Sequence, residues 1–165
     1  MKTAYLAGPD VFRSNPVKHF KEIKELCLKY NIIGISPFDN DDTNVKLFSK
    51  EHSRLIFLNN IKKMQECDII LVNLDYFRGA CVDDGTSFEI GYFFSLNKPI
   101  YGYSKYSNKS LEENTKLMFD ITKQPEYTII EKFEDNPYNL MIVESIKLSG
   151  GFIKETIEEI LNELE

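Results

Sequence analysis

The sequence predicts an α/β fold in which a mostly parallel sheet of five strands carries helices on both faces. Strand-like and helix-like segments alternate four times within the first hundred of the 165 residues, and that alternation implies parallel strands joined by crossover helices. DIILVNL, Asp68 to Leu74, is almost continuously apolar, as expected of a strand covered on both faces. The length suits one substantial core, so residues 1–165 are read as a single domain.

Taken in order, TAYLA (Thr3 to Ala7) is a short apolar strand that ends at Gly8-Pro9. Asn15-Pro16 then supplies a cap and a first-turn proline for a helix with Phe20, Ile23, Leu26, Cys27 and Tyr30 on one face. IIGIS (Ile32 to Ser36) is a second strand stopped by Pro37, and the polar loop FDNDDTN leads to a helix from about Lys50 to Glu66. Asp68 to Leu74 is the third strand. After DYFRGACVDD comes a helix over about Thr86 to Leu96, and PIYGY (Pro99 to Tyr103) is a fourth strand. Beyond it, SLEENTKLMFDIT has room for a helix and Tyr127 to Glu131 is strand-compatible. Gly150-Gly151 precedes a final amphipathic helix carrying Phe152, Ile153, Ile157, Ile160, Leu161 and Leu164.

Composition narrows the function classes. A net charge of -6 with dispersed lysines disfavours a nucleic acid polymer as partner. Three cysteines, Cys27, Cys67 and Cys81, have no CxxC spacing and read as reduced thiols. Two distant histidines, His19 and His52, make a metal site improbable. No apolar stretch approaches ~18 residues and no leader pattern opens the chain, so the expectation is a cytoplasmic protein without membrane contact.

The stretch VDDGTSFEIG, Val82 to Gly91, raises a chemical question. Thr86-Ser-Phe-Glu89 fits the capping box, which would explain Glu89 by helix-start amides alone. The neighbouring acids Asp83 and Asp84 have no such explanation. They stand where a strand-to-helix turn opens at the carboxyl edge of a sheet, the usual place for a ligand in this architecture. A like charge ~4 Å away at an effective dielectric of about 20 costs on the order of 4 kcal/mol, which disfavours a phosphate at this turn. A neutral hydroxylated ligand suits carboxylate acceptors better.

YLAGPDVF (Tyr5 to Phe12), SPFDND (Ser36 to Asp41), NIKKMQECDIILVNL (Asn60 to Leu74), FRGACVDDGTSFEIG (Phe77 to Gly91) and NLM (Asn139 to Met141) together resemble the nucleoside 2-deoxyribosyltransferase family, in order across nearly the whole chain. The resemblance implies a flavodoxin-like doubly wound sheet and transfer of 2-deoxyribose between nucleobases through a covalent glutamyl sugar, with no metal or organic cofactor. Glu89 resembles the nucleophile, Tyr5 the tyrosine that orients it, and Asp83 the acid that receives the sugar hydroxyls. Asp41 matches the family's base contact and is the candidate proton donor to the departing base. Asn60 matches a position where some relatives carry aspartate. Asn139 resembles the asparagine that reaches the 5′-hydroxyl from a neighbouring subunit, which implies a homo-oligomer. Met141 and Phe12 are expected beside the base, and Gly8, Asp39 and Gly85, inside the matching segments, complete the substrate-binding set. The family's C-terminal carboxylate contact has no counterpart in the charged final helix.

These residue types suit the reaction. Cleaving an N-glycosidic bond develops positive charge at C1′, which a carboxylate can stabilise and then capture. The departing base needs a proton as the bond breaks. Two rivals predict different behaviour: an N-glycoside hydrolase on the same turn, in which water replaces the second base, and a nucleoside-binding domain without turnover.

Overall fold

The structure, a computed structural model, describes residues 1–39 and 45–165. Among them are five strands in one all-parallel sheet of order β2-β1-β3-β4-β5: β1 Lys2–Ala7, β2 Ile32–Ile35, β3 Ile69–Asn73, β4 Ile100–Tyr103 and β5 Ile153–Lys154. This is the flavodoxin-like order. The chain first winds outward from β1 to β2 and then returns past β1 to β3, so the switch point lies between the carboxyl ends of β1 and β3.

Among the described residues six α-helices cover the sheet: α1 Pro16–Lys29, α2 Lys50–Glu66, α3 Asp84–Ser95, α4 Leu111–Met118, α5 Leu140–Leu148 and α6 Ile157–Leu164. Residue alternation along the strands divides the core into two layers. Tyr5, Ala7, Ile70 and Val72 face Met64 of α2, Ile90 and Phe93 of α3, and Ile142 and Ile146 of α5. Ala4, Leu6, Ile69 and Leu71 face Phe20 and Cys27 of α1 and Ile157, Ile160 and Leu161 of α6. All five residues of β3 are buried, which accounts for its unbroken apolar run.

The C-terminal third departs from expectation. Residues 127–131 form no strand. The fifth strand is Ile153–Lys154, inside the segment read as the start of the last helix, and that helix begins only at Ile157 behind a Thr156–Glu159 capping box. Gly151 makes the edge pairing feasible, since a Cβ there would stand 1.7 Å from the Ile100 carbonyl oxygen. Helix α5, capped by Asn139, is an element that periodicity did not reveal.

Candidate active site

Helix α3 starts earlier than its sequence suggests. Asp83 is the N-cap, its Oδ2 accepting from the Thr86 amide at 3.1 Å and from Thr86 Oγ1 at 3.2 Å. Thr86 is therefore the third residue inside the helix, and the capping box read there does not form. Glu89 falls in the second turn, beyond the amides it would otherwise serve. A charged cap residue three positions ahead of Thr86 takes the free amide instead.

Released from that duty, Glu89 turns toward the sheet on the same helix face as Thr86 and Phe93. The hydroxyl of Tyr5, a fully buried residue of β1, donates to Glu89 Oε1 at 2.8 Å. The Tyr5 ring is stacked at 6.3 Å from Phe93, which fixes the direction of that hydroxyl. Burial pushes the Glu89 carboxyl up to about 7; the Tyr5 hydrogen bond opposes the rise and the charge of Asp83 adds to it. Tyr5, Asp83 and Glu89 thus form one electrostatic group, although Tyr5 and Glu89 are 84 positions apart.

Asn60, on α2, is partly buried, and its Oδ1 accepts no hydrogen bond among the described residues. Its helix runs beside α3 at this height: Phe57 lies 5.8 Å from Phe88, and Gln65 Nε2 donates to the Tyr92 hydroxyl at 2.8 Å. Asp41 lies outside the described residues. Asp39 is committed to its own turn, where both carboxylate oxygens bind Lys24 Nζ and the Ser36 amide donates to Oδ2 at 2.8 Å. Burial favours its protonation, but Lys24 and Ser36 outweigh this and hold the carboxyl below its ordinary value.

Gly8 leaves β1 with φ 140, and a Cβ there would meet Asn73 Cβ at 2.6 Å, so only glycine lets the turn close against β3. Gly85 lies beside the Asp83 carboxylate, 3.1 Å from where its Cβ would be. Phe12 stacks on Phe77 at 4.9 Å with the Arg78 guanidinium 4.5 Å from the Phe77 ring.

Asn139 and Met141 stand elsewhere, on the rim of a cavity of about 950 Å³ that also touches Val82, Ser87 and Ile90 but not Tyr5, Asp83 or Glu89. Asn139 Oδ1 accepts from the Met141 amide at 3.0 Å, and its Nδ2 donates to Glu131 at 3.0 Å. Within one chain, then, the structure joins Tyr5, Asp83 and Glu89 and sets Asn139 and Met141 apart from them.

A polar group missed in the sequence lies at the switch point itself. Asp10, 3% exposed, accepts from Asn73 Nδ2 at 2.9 Å and from Arg13 Nε at 2.5 Å. His19 Nε2 lies 3.2 Å from the same oxygen as Arg13, without the alignment of a hydrogen bond. An acid directly after a strand-ending Gly-Pro was the available signal, but its partner Asn73 is 63 positions away. Among the described residues no group of three or more His, Cys, Asp or Glu is placed to hold a metal ion, and no helix is long and apolar enough to cross a membrane.

Fold and site together define a doubly wound α/β domain with a tyrosine-held carboxylate beside its switch point. The model of the nucleoside 2-deoxyribosyltransferase family matches residues 4–141, and the chain belongs to that family. It is 32% identical to an uncharacterized protein from Schizosaccharomyces pombe, over 90% of this chain and 79% of that protein. Its fold is shared with a 2-desoxiribosyltransferase from Leishmania mexicana at a TM-score of 0.74 and 24% identity, covering 99% of this chain and 97% of that one. It also resembles a CMP N-glycosidase from Clostridium botulinum at a TM-score of 0.50 and 16% identity, covering 99% and 98%.

Proposed function

We propose that this protein transfers 2-deoxyribose between nucleobases of unphosphorylated 2′-deoxynucleosides, with Glu89 as the nucleophile. The observation that carries the proposal is the 2.8 Å hydrogen bond from Tyr5 to Glu89 Oε1. It aims a partly buried carboxylate that serves no helix amide and leaves Oε2 for attack. As Oε2 bonds to C1′, the C1′–N bond breaks and the base departs with its electron pair, taking a proton from Asp41. The sugar rests on Glu89 as an ester. A second base enters, returns its N–H proton to Asp41 as its nitrogen attacks C1′, and the Glu89 carboxylate is released, so two inversions return the original anomer.

In this reading Asp83 keeps one oxygen on the Thr86 amide and offers the other to the sugar hydroxyls. Asn60 presents its buried Oδ1 at the same site. Gly8, Gly85 and Phe12 shape the walls, Met141 flanks the base, and Asn139 reaches the 5′-hydroxyl of the sugar bound to a neighbouring subunit. The two carboxylates make a 5′-phosphate a poor ligand, which favours nucleosides over nucleotides.

Incubating deoxyinosine with adenine tests the proposal. The expected result is deoxyadenosine in the wild type, none in Glu89→Ala, and a mass increase of one deoxyribosyl group on a Glu89-containing peptide after a brief acid quench. Deoxyribose released at the same rate with and without adenine would make the protein a hydrolase. Exchange that survives Glu89→Ala would remove the residue from the reaction.

A further inference from the structure

We propose that Asp10 is a positioning residue for the nucleobase pocket, acting through Asn73 to set the spacing of the two loops that bound the crevice. The proposal rests on the transfer reading for the ligand and for the place of Phe12 beside it; the hydrogen-bonded arrangement stands on geometry. Asp10 Oδ2 takes Asn73 Nδ2 at 2.9 Å, Asn73 Oδ1 takes the Asp75 amide at 2.9 Å, and Asp75 Oδ1 takes Ser104 Oγ at 2.9 Å. This is a continuous belt over the carboxyl ends of β1, β3 and β4. Its first link ties the turn after β1 to the last residue of β3, its second is local to the residues that follow β3, and its third ties those residues to the end of β4.

The belt decides where the aromatic wall stands. Asp10 sits in the turn Pro9–Phe12, two residues before Phe12, and is fixed from the other side by Arg13 at 2.5 Å. Asn73 ends β3, four residues before Phe77. Bridging Asp10 to Asn73 therefore brings Phe12 and Phe77 to their 4.9 Å stacking distance across the switch point. Arg78 closes over both rings, 4.5 Å from one and 5.3 Å from the other. A buried carboxylate is expensive to leave unpaired, so the turn cannot drift from Asn73 and Arg13 without losing those partners. Phe12 itself is 56% exposed, so its place depends on the turn that carries it.

The test exploits the polarity of the bridge. Asp10→Asn sets an amide NH2 against either Asn73 Nδ2 or Arg13, and Asn73→Asp sets two carboxylates face to face. Combined, they restore a donor and an acceptor: the amide at 10 donates to the carboxylate at 73, which still accepts the Asp75 amide, while the carbonyl at 10 faces Arg13. Binding of adenine, hypoxanthine, cytosine and thymine is measured by calorimetry, using the tightest base for the wild type, alongside base exchange.

Each single variant is expected to weaken base binding about tenfold with kcat within about threefold, and the double variant to recover most of the loss. Asn73→Ser, which removes the bridging amide without opposing Arg13, should weaken binding to the same degree and serves if Asp10→Asn does not fold. Singles that bind within twofold of the wild type, a double no better than the singles, or a wild type that binds none of the bases would overturn the proposal. A wild type that binds a base but exchanges none would instead sink the transfer reading and leave this one standing.

Discussion

The chemistry proposed for Glu89 requires it ionised, yet its surroundings favour the proton. Desolvation is the largest influence and carries the carboxyl up to about 7, with Tyr5 lowering it and Asp83 raising it. Only the carboxylate attacks, so the competent fraction of free enzyme grows as pH rises through that value. In an Asp41→Asn variant, where no second carboxyl titrates in the reaction, we expect kcat/KM for base exchange to increase about tenfold between about pH 6 and about pH 8 and then to level. Tyr5→Phe removes the one influence that lowers the value, so its rising limb should move to higher pH while the plateau also falls. A rate profile flat across this range, or a Tyr5→Phe limb displaced toward acid, would show that residue 89 is not the group that must lose a proton. A first-turn position would have suggested a helix end that favours the negative charge. The second-turn position places the control in Tyr5 and Asp83 instead.

Asp83 shows how a helix start can hold structure and chemistry in one side chain. One of its oxygens caps α3, and the other is proposed to meet the sugar. Replacing it by alanine should remove both functions and cost about 1 kcal/mol of stability. Asp83→Ser retains a cap but no charge, so it should melt like the wild type while losing most exchange; loss of activity in step with melting temperature in both variants would reduce Asp83 to a cap. The same helix shows why element boundaries were only partly legible. Thr86-Ser-Phe-Glu89 matches the box pattern but lies downstream of a stronger cap, whereas Ser110–Glu113 and Thr156–Glu159 form true boxes that the reading passed over. The four long βα alternations were readable because each strand is a run of apolar residues, three of them bounded by Gly or Pro. Strand β5 was not, because two residues have no period and their pairing depends on Gly151 lying against Ile100.

At the scale of the whole molecule, the sheet order explains which parts of the site could be read from the chain. Tyr5, Asp83 and Glu89 lie in motifs, and the switch point between β1 and β3 brings their segments together. The pairing of Asp10 with Asn73 has no local signature, since it exists only once those two strands are side by side. Asn139 poses the remaining spatial problem, because its own chain uses it to cap α5 at a cavity that Glu89 does not line. If the 5′-hydroxyl is reached across a two-fold interface, as symmetric oligomers allow, Glu89 and Asn139 of one site come from different chains. Mixing two defective variants then distinguishes the geometries. Glu89→Gln lacks the nucleophile, and Asn139→Ser keeps a cap but loses the amide. After unfolding and refolding together, half of the dimers pair one chain of each kind, and each such dimer holds one site with both residues intact. Activity should recover to about a quarter of the wild type, well above the average of the two variants refolded separately. A mixture no more active than that average would place Asn139 with its own chain or outside the site.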